Sequence, residues 1–245
     1  METAIILQAR LGSKRLPGKV LKKINGKTIL EYVINRLKKT KLSKNIIVAT
    51  TNREEDKKII KVAKKTNCHT FRGSTNNVLN RYYKAAVHYK VKNIVRICSD
   101  CPLIDPKIIN KVYFFYLKNN YDYVSNKIIP SYPIGMGVEI LNIQSLKKAN
   151  RLVRNISEKE HVTAYIYKNP KKFKIKNIRL KKKLLNYRIV LDYIEDFKLI
   201  SNILRHFKKQ KKDFTLKNII KYIDSNSLLK KKNNQNLTKY GYLWV

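Results

Sequence analysis

Thr3-Ala4-Ile5-Ile6-Leu7-Gln8 runs directly into Ala9-Arg10-Leu11-Gly12-Ser13-Lys14-Arg15-Leu16-Pro17-Gly18-Lys19. The first six residues are a short apolar run, the pattern of a strand buried on both faces. The following loop holds four cations, two glycines and a serine. Such a loop suits a polyphosphate: glycine lets backbone amides approach the oxygens, serine adds a donor, and Arg or Lys neutralises charge. An exposed turn is the other reading of the same residues. The loop is not a P-loop, because Gly18-Lys19 is followed by Val20 and the earlier required glycine is Ser13. Gly26-Lys27-Thr28 fails likewise, with Leu21 at the matching site, and reads as a turn before a helix capped by Thr28.

Working outward, the alternation continues. Ile29, Leu30, Val33, Ile34 and Leu37 recur at helical spacing, and residues 45–50 form a second apolar strand. Ile59, Ile60 and Ala63 mark a second helix, residues 68–71 a third strand, and Val78, Leu79, Tyr82, Tyr83, Ala86 and Val87 a third helix. Residues 93–98 form a fourth strand; Asp105-Pro106 then opens a helix with Asp as N-cap and Pro in the first turn. This order implies an α/β fold with right-handed βαβ units and a doubly wound, mostly parallel sheet. Ligands in such sheets sit beyond the carboxyl ends of the strands, so the loops after strands one and four are where chemistry is expected.

The alternation loosens from Tyr121 to Ile178. Residues 121–125 and 138–141 read as strands, Ser157-Glu158-Lys159-Glu160 as a capping box opening a helix through Tyr167, and residues 173–178 as a half-exposed strand. The stretch of about 126–180 reads as an arm or sub-domain. Core elements return with a strand at 188–191, a helix carrying Phe197, Leu199, Ile200, Ile203, Leu204 and Phe207, and a final helix near 216–224. A tail from 225 to 245 is rich in Asn and Lys but ends in an apolar stretch, Tyr240 to Val245, expected to dock on the body or on a partner subunit.

The chain has 245 residues, 43% hydrophobic and 29% charged. That is enough apolar material for a core, which excludes wholesale disorder. No apolar run nears the roughly 18 residues of a membrane span, and the first residues lack the basic start of a signal peptide. A soluble, cytoplasmic protein with no membrane association is expected. Lys and Arg number 55 against 16 acids, a formal net charge of +39. Lys outnumbers Arg 43 to 12 and falls mostly on the polar sides of helices, as at Lys57, Lys58, Lys61, Lys64 and Lys65. This distribution reads as a solvated basic surface, and no nucleic-acid partner is expected, since binding footprints cluster. Cys98-Ser99-Asp100-Cys101 has the C-x-x-C form but no second pair, and His69, His88, His161 and His206 have no ligand spacing.

The first loop, with Ile5 to Leu21 around it, resembles the opening signature of the cytidylyltransferases that activate sugar acids, and most closely the branch named for spore-coat polysaccharide biosynthesis. The resemblance continues in order over about 200 residues: Phe71-Arg72-Gly73-Ser74, Val78-Leu79-Asn80-Arg81-Tyr82-Tyr83, Asp100-Cys101-Pro102-Leu103-Ile104-Asp105-Pro106, Glu160-His161-Val162-Thr163, then Leu191-Asp192 with Glu195-Asp196. It implies a nucleotide-diphospho-sugar transferase-like (GT-A-like) fold in a single domain, residues 1–224, with a dimerisation arm. It also implies transfer of CMP from CTP to a sugar acid or related acceptor, with release of pyrophosphate, for surface polysaccharide or glycan synthesis.

Residue by residue, the resemblance implies that Arg10, Ser13, Arg15 and Lys19 hold the triphosphate, with Ala9 and Gly12 beside them. Arg10, Lys19 and Asp100 are its implied catalytic residues. Arg72, Gly73 and Ser74 are implied nucleotide contacts, and Tyr132, Glu139 and His161 acceptor contacts. Asp100 and Asp192, each closing an expected strand, are the implied Mg²⁺ ligands; two carboxylates completed by phosphate oxygens and waters suit that ion. Other readings of the two acids stay open: Asp192 with Glu195 has the spacing of a helix cap, and Asp100 can fix the turn before Pro102.

Three positions depart from the family pattern. Cys98 stands where sugar-acid members often carry a base-reading Gln, and Ser99 where Gly is common. Ile134 and Gly137 replace acids of the acceptor segment. A glycosyltransferase of similar fold is the alternative, but Asp100-Cys101-Pro102 lacks its usual acid-x-acid pair, and the basic loop suits a triphosphate better than a diphosphate. From charge alone, a basic nucleic-acid-binding protein is a third reading. The arm and the apolar C-terminus lead to the expectation of a homodimer.

Overall fold

A computed structural model describes residues 1–210 and 213–240. Its core is a seven-stranded sheet: β1 (Thr3–Gln8), β4 (Ile46–Thr51), β5 (His69–Gly73), β6 (Asn93–Cys98), β7 (Tyr123–Ser125), β8 (Glu139–Asn142) and β9 (Ile175–Asn177). In space the order is β5-β4-β1-β6-β8-β7-β9. A small hairpin, β2 (Lys23–Ile24) with β3 (Lys27–Thr28), stands apart. Within the seven-stranded sheet only β8 runs antiparallel to its neighbours β6 and β7; the sheet's other pairings are parallel, as the strand–helix alternation requires.

The apolar runs of β1 and β4 are explained by cover on both faces. Ile5, Leu7, Val48 and Val95 face one core cluster, packed under α1 (Ile29–Leu37), α4 (Pro106–Leu117) and α8 (Ile194–Lys209). Ala4, Ile6, Ile47 and Ala49 face a second, under α3 (Val78–His88) and α5 (Ile143–Leu152). Thr28 caps α1 in a full capping box with Glu31, and α1 buries Ile29, Leu30, Val33, Ile34 and Leu37. Each is worth roughly 1.5–3 kcal/mol over an exposed position. Asp105 caps α4 by accepting the Lys107 amide at 2.9 Å, and its second oxygen accepts the Leu216 amide at 2.8 Å. One acid thereby joins α4 to α9 (Leu216–Asp224). Register brings Gln8, Ala49 and Cys98 level, so the carboxyl ends of β1, β4 and β6 share one rim.

Three local expectations are corrected. The expected helix from Ser157 to Tyr167 is two short ones, α6 (Ile156–Glu160) and α7 (Ala164–Lys168), and Asn155, not Ser157, caps the first. The break is at Val162, whose φ of 58° is outside helical space; that turn buries Val162 and aims the Thr163 hydroxyl at Glu139. Residues 188–191 are buried but join no ladder, with a single isolated bridge between Ile134 and Arg188. Third, α9 is not the final helix: the chain continues into α10 (Ser227–Tyr240). The expected docking of the apolar end, 241–245, lies outside the described residues.

Residues 126–180 supply β8, which lies inside the sheet, together with α5, α6, α7 and β9. Completing the helices is α2 (Lys57–Lys65). No helix among the described residues is long and apolar enough to cross a membrane.

Candidate active site

The rim formed by β1, β4 and β6 opens into a cavity of about 750 Å³. Eight Lys or Arg residues line it against four carboxylates, so its field favours an anion. The basic loop forms one wall, and its shape has a local cause. Leu11 accepts backbone bonds from Ser13 (2.7 Å) and Gly18 (3.0 Å), closing the loop on itself. The Leu11 amide donates to Asp56 at 2.8 Å, and Asp56 also accepts the Thr51 hydroxyl. Asp56 is thus a buried anchor at the start of α2. Gly18 takes φ of 65°, a conformation open to glycine, and starts the tight turn Lys19–Leu21 that aims Lys19 inward.

Lys19 is the centre of the site. Its ammonium donates to Leu191 O at 2.7 Å, Asp192 Oδ1 at 2.9 Å and Asp100 Oδ2 at 3.1 Å. That satisfies all three donors of the group. Burial alone would push the Lys19 pKa down, but the two carboxylates outweigh it and hold it above its ordinary value. Burial would likewise raise Asp100, and the Lys19 charge overcomes this to hold it below the usual carboxylate range. Asp192 also meets Arg15 at 3.0 Å and Arg188 at 3.5 Å. Asp100 lines the cavity; Asp192 is 4% exposed and sits behind Lys19.

The structure brings Ala9, Arg10, Gly12, Ser13, Arg15, Lys19, Asp100, Tyr132, Glu139 and His161 to this one cavity. Arg10 pairs with Glu160 at 2.7 Å, tying the loop to α6. Arg72, Gly73 and Ser74 are not brought in. Arg72 donates instead to the carbonyls of Thr51, Asn52 and Arg53, clamping the loop after β4, while Thr75 and Asn76 take the wall. Glu139 is 2% exposed and is held by Arg96, Lys127 (3.4 Å), Tyr123 (2.6 Å) and Thr163. Burial raises its pKa, but Arg96 and Lys127 outweigh that and leave it well below the usual range. Both of its oxygens are taken up by these neighbours. His161 has its pKa pushed down by burial and by the nearby Arg96 charge.

Sequence reasoning missed Asp56, Arg81, Arg96 and Lys127. Arg96 had a signal: it is a lone charge in the apolar run of β6, and its second nitrogen reaches Gln8 at 3.1 Å. Arg81 had a weaker one, its place on the apolar face of α3. It is 1% exposed, donates to Ser74 O at 2.6 Å, forms no ion pair among the described residues, and lines the cavity. Cys98 and Cys101 line it too, and burial raises both thiol pKa values, which disfavours the reactive thiolate.

The sequence model of the cytidylyltransferase family matches residues 4–226. An uncharacterized protein of Methanocaldococcus jannaschii is 40% identical over 227 residues, covering 92% of this chain and 91% of its own length. A spore coat polysaccharide biosynthesis protein of Bacillus subtilis is 29% identical over 80% of this chain and 83% of its own. A 3-deoxy-manno-octulosonate cytidylyltransferase of Trichlorobacter lovleyi is 31% identical over a shorter span, 49% of this chain and 46% of its own. Among solved structures, a cytidylyltransferase from Leptospira borgpetersenii superimposes with a TM-score of 0.88 at 33% identity, covering 94% of this chain and 96% of that one. With the match spanning nearly the whole chain, and with Lys19 of the basic loop bonded to Asp100 in the cavity wall and to Asp192 behind it, the protein belongs to the cytidylyltransferase family and is a CTP-dependent nucleotidyltransferase.

Proposed function

We propose that the protein transfers CMP from CTP to a sugar acid, releasing pyrophosphate, in the synthesis of a surface polysaccharide or related glycan. The observation that carries this reading is the Lys19–Asp100–Asp192 cluster, with Lys19 and Asp100 in the wall of a basic, nucleotide-sized cavity and Asp192 behind them. The name of the Trichlorobacter relative supports the acceptor class, and that of the Bacillus relative the polysaccharide setting. In the reaction, an acceptor hydroxyl loses its proton to solvent as its oxygen bonds to the α-phosphorus, the bond from the α-phosphorus to the αβ-bridging oxygen breaks, and pyrophosphate leaves with that oxygen. Arg10, Ser13, Arg15 and Lys19 grip the triphosphate and neutralise its charge, which is most of what phosphoryl chemistry asks of a protein. Tyr132 and His161 face the acceptor, and Glu139 fixes Arg96 and Thr163 beside it.

The donor set fits a hard divalent cation. Asp100 and Asp192 direct two carboxylate oxygens at one ammonium, so two anionic oxygens already share one cationic neighbour. Among the described residues no group of three or more His, Cys, Asp or Glu is arranged to hold a metal alone. Phosphate oxygens and water complete the shell, the habit of Mg²⁺. When bound, that ion would neutralise charge on the α-phosphate and orient it. Lys19 then turns from the acids to the phosphates.

The chain also works as a homodimer in the cytoplasm on this reading, with segment 126–180 of a 1–224 domain reaching the neighbouring copy. Ile129, Leu152 and Ile156 support it: all three are exposed apolar side chains on that segment, Ile156 by 80%. Sedimentation showing only monomer at micromolar concentration would remove the dimer. The function itself is tested by pyrophosphate release from CTP and Mg²⁺ over a panel of sugar acids, with UTP, ATP and GTP as controls. Release with CTP and one acceptor class is expected; release with none, or equally with all four nucleotides, overturns it.

A further inference from the structure

Asp192 stands on a segment that no strand ladder holds. Residues 188–191 keep their place through backbone bonds from Ile189 to Ile134 O (2.9 Å) and from Leu191 to Asp100 O (2.8 Å). Beyond Leu191 the turn is fixed by the Asp196 carboxylate. It accepts the amides of Asp192 and Tyr193, both at 3.0 Å, and the Arg188 guanidinium at 3.1 and 2.9 Å. Arg188 in turn reaches Asp192 at 3.5 Å.

α10 presents one face to this cluster. Leu229, Asn233, Asn236 and Tyr240 recur at helical spacing, so they share a side. Leu229 is buried apolar surface, but Asn233 and Asn236, in the middle of the seam, are only 1% and 5% exposed. Asn233 donates to the Arg188 carbonyl at 3.0 Å, and Asn236 to Asp196 Oδ1 at 3.3 Å. Tyr240 stacks on Tyr193 with ring centroids 3.6 Å apart. Arg15 of the basic loop lies 5.3 Å from the Tyr193 ring, and Arg188 5.9 Å.

Two buried amides are a costly way to seat a helix. The Asn233 side-chain oxygen has no hydrogen-bond partner, so the seam is not built for stability alone. An apolar side chain of similar size gains about as much from burial as the amide's single hydrogen bond contributes. The amides do, however, touch the two residues that orient Asp192. The family match ends at residue 226, just before α10 begins.

We propose that α10 is a positioning element of the active site. Asn233 and Asn236 hold the Arg188–Asp196 pair, and through it they set the Asp192 carboxylate where it serves the divalent ion. Both are positioning residues and touch no substrate. The inference rests on the proposed metal role of Asp192, so the experiment separates the two.

Mn²⁺ binding is measured by electron paramagnetic resonance on the full-length protein with CTP present, beside thermal melting. The variants are Asn233→Leu with Asn236→Leu, the single Asn233→Ala and Asn236→Ala substitutions in case the double variant does not fold, and Asp192→Asn. The double variant, or the two alanine variants, should bind Mn²⁺ at least fivefold more weakly, while the double variant's Tm stays level or rises. Opposite movement of affinity and stability is what a merely structural helix does not produce. Mn²⁺ affinity within twofold of the parent in every α10 variant, while Asp192→Asn weakens it, overturns the inference alone. Unchanged affinity in Asp192→Asn overturns the metal reading and the inference with it.

Discussion

Lys19 and Asp192 lie 173 positions apart in the chain and meet at 2.9 Å, with Asp100 sharing the same ammonium at 3.1 Å. The loop after β1 and the segment before α8 are therefore held together by one charge. Lys19→Met leaves two carboxylates facing each other without it. Removing one partner of a buried pair costs about 3–5 kcal/mol. Arg15 and Arg188 still reach Asp192, so the loss should fall at the lower end. Chemical denaturation should show it, and adding Asp100→Asn to Lys19→Met should restore part of it. CTP binding by calorimetry should be lost in both.

Arg96 and Glu139 form the other buried pair of the cavity wall, 4% and 3% exposed at their side chains. The folded-state pKa of Glu139 lies below its unfolded value, so its contribution is complete above about pH 4.3. It drains away as pH falls from there toward the folded value. Glu139→Gln should lower Tm at neutral pH and flatten the fall of Tm on acidification. An unchanged acid limb in the variant would contradict the pairing.

Arg72 and Arg81 make a contrast. Arg72 is bonded to three backbone carbonyls outside the cavity, whereas Arg81 lines it with no ion pair among the described residues. Arg72→Ala should leave CTP affinity within about threefold and cost stability near the 1 kcal/mol scale of lost hydrogen bonds. Arg81→Met should weaken CTP binding roughly tenfold, the worth of one charge-assisted bond. Titration calorimetry on both variants decides between them.

Most of the sheet was legible because each apolar run was bounded by a loop or a cap, and β1, α3 and β6 fall on the expected residues. Segment 188–191 was misread because full burial without a ladder gives the same apolar run as a strand. The α6–α7 break was hidden because a β-branched Val162 at positive φ contradicts local preference; the gain is tertiary, through Glu139. α10 was hidden by its Asn- and Lys-rich composition, since its buried face carries amides where apolar residues are the usual signal. In the site, the charge and glycines of the basic loop marked one cavity wall but left an exposed turn as the other reading, and the roles of its residues came from the family resemblance. Asp56 is tied to Leu11, 45 positions away, as well as to nearby Thr51, and the Arg81 side chain to Ser74, so neither left a strong local trace.

Gly135 packs the loop between β7 and β8 against the segment that leads into Asp192. It has φ of 104°, and a Cβ there would lie 2.7 Å from the Ile189 carbonyl oxygen. Gly135→Ala combines a strained backbone, about 1–3 kcal/mol, with a backbone clash that must move residues 189–190. The variant should melt lower and bind Mn²⁺ more weakly in the presence of CTP, both measured against wild type.

The most direct measurement is an anomalous difference map from crystals soaked with CTP and Mn²⁺. The expected peak lies within roughly 2.2 Å of oxygens from both Asp100 and Asp192 and of the nucleotide phosphates. Lys19 should have turned to the triphosphate. A peak away from either acid, or Lys19 still bridging them with nucleotide bound, would contradict the shared role assigned to Lys19, Asp100 and Asp192.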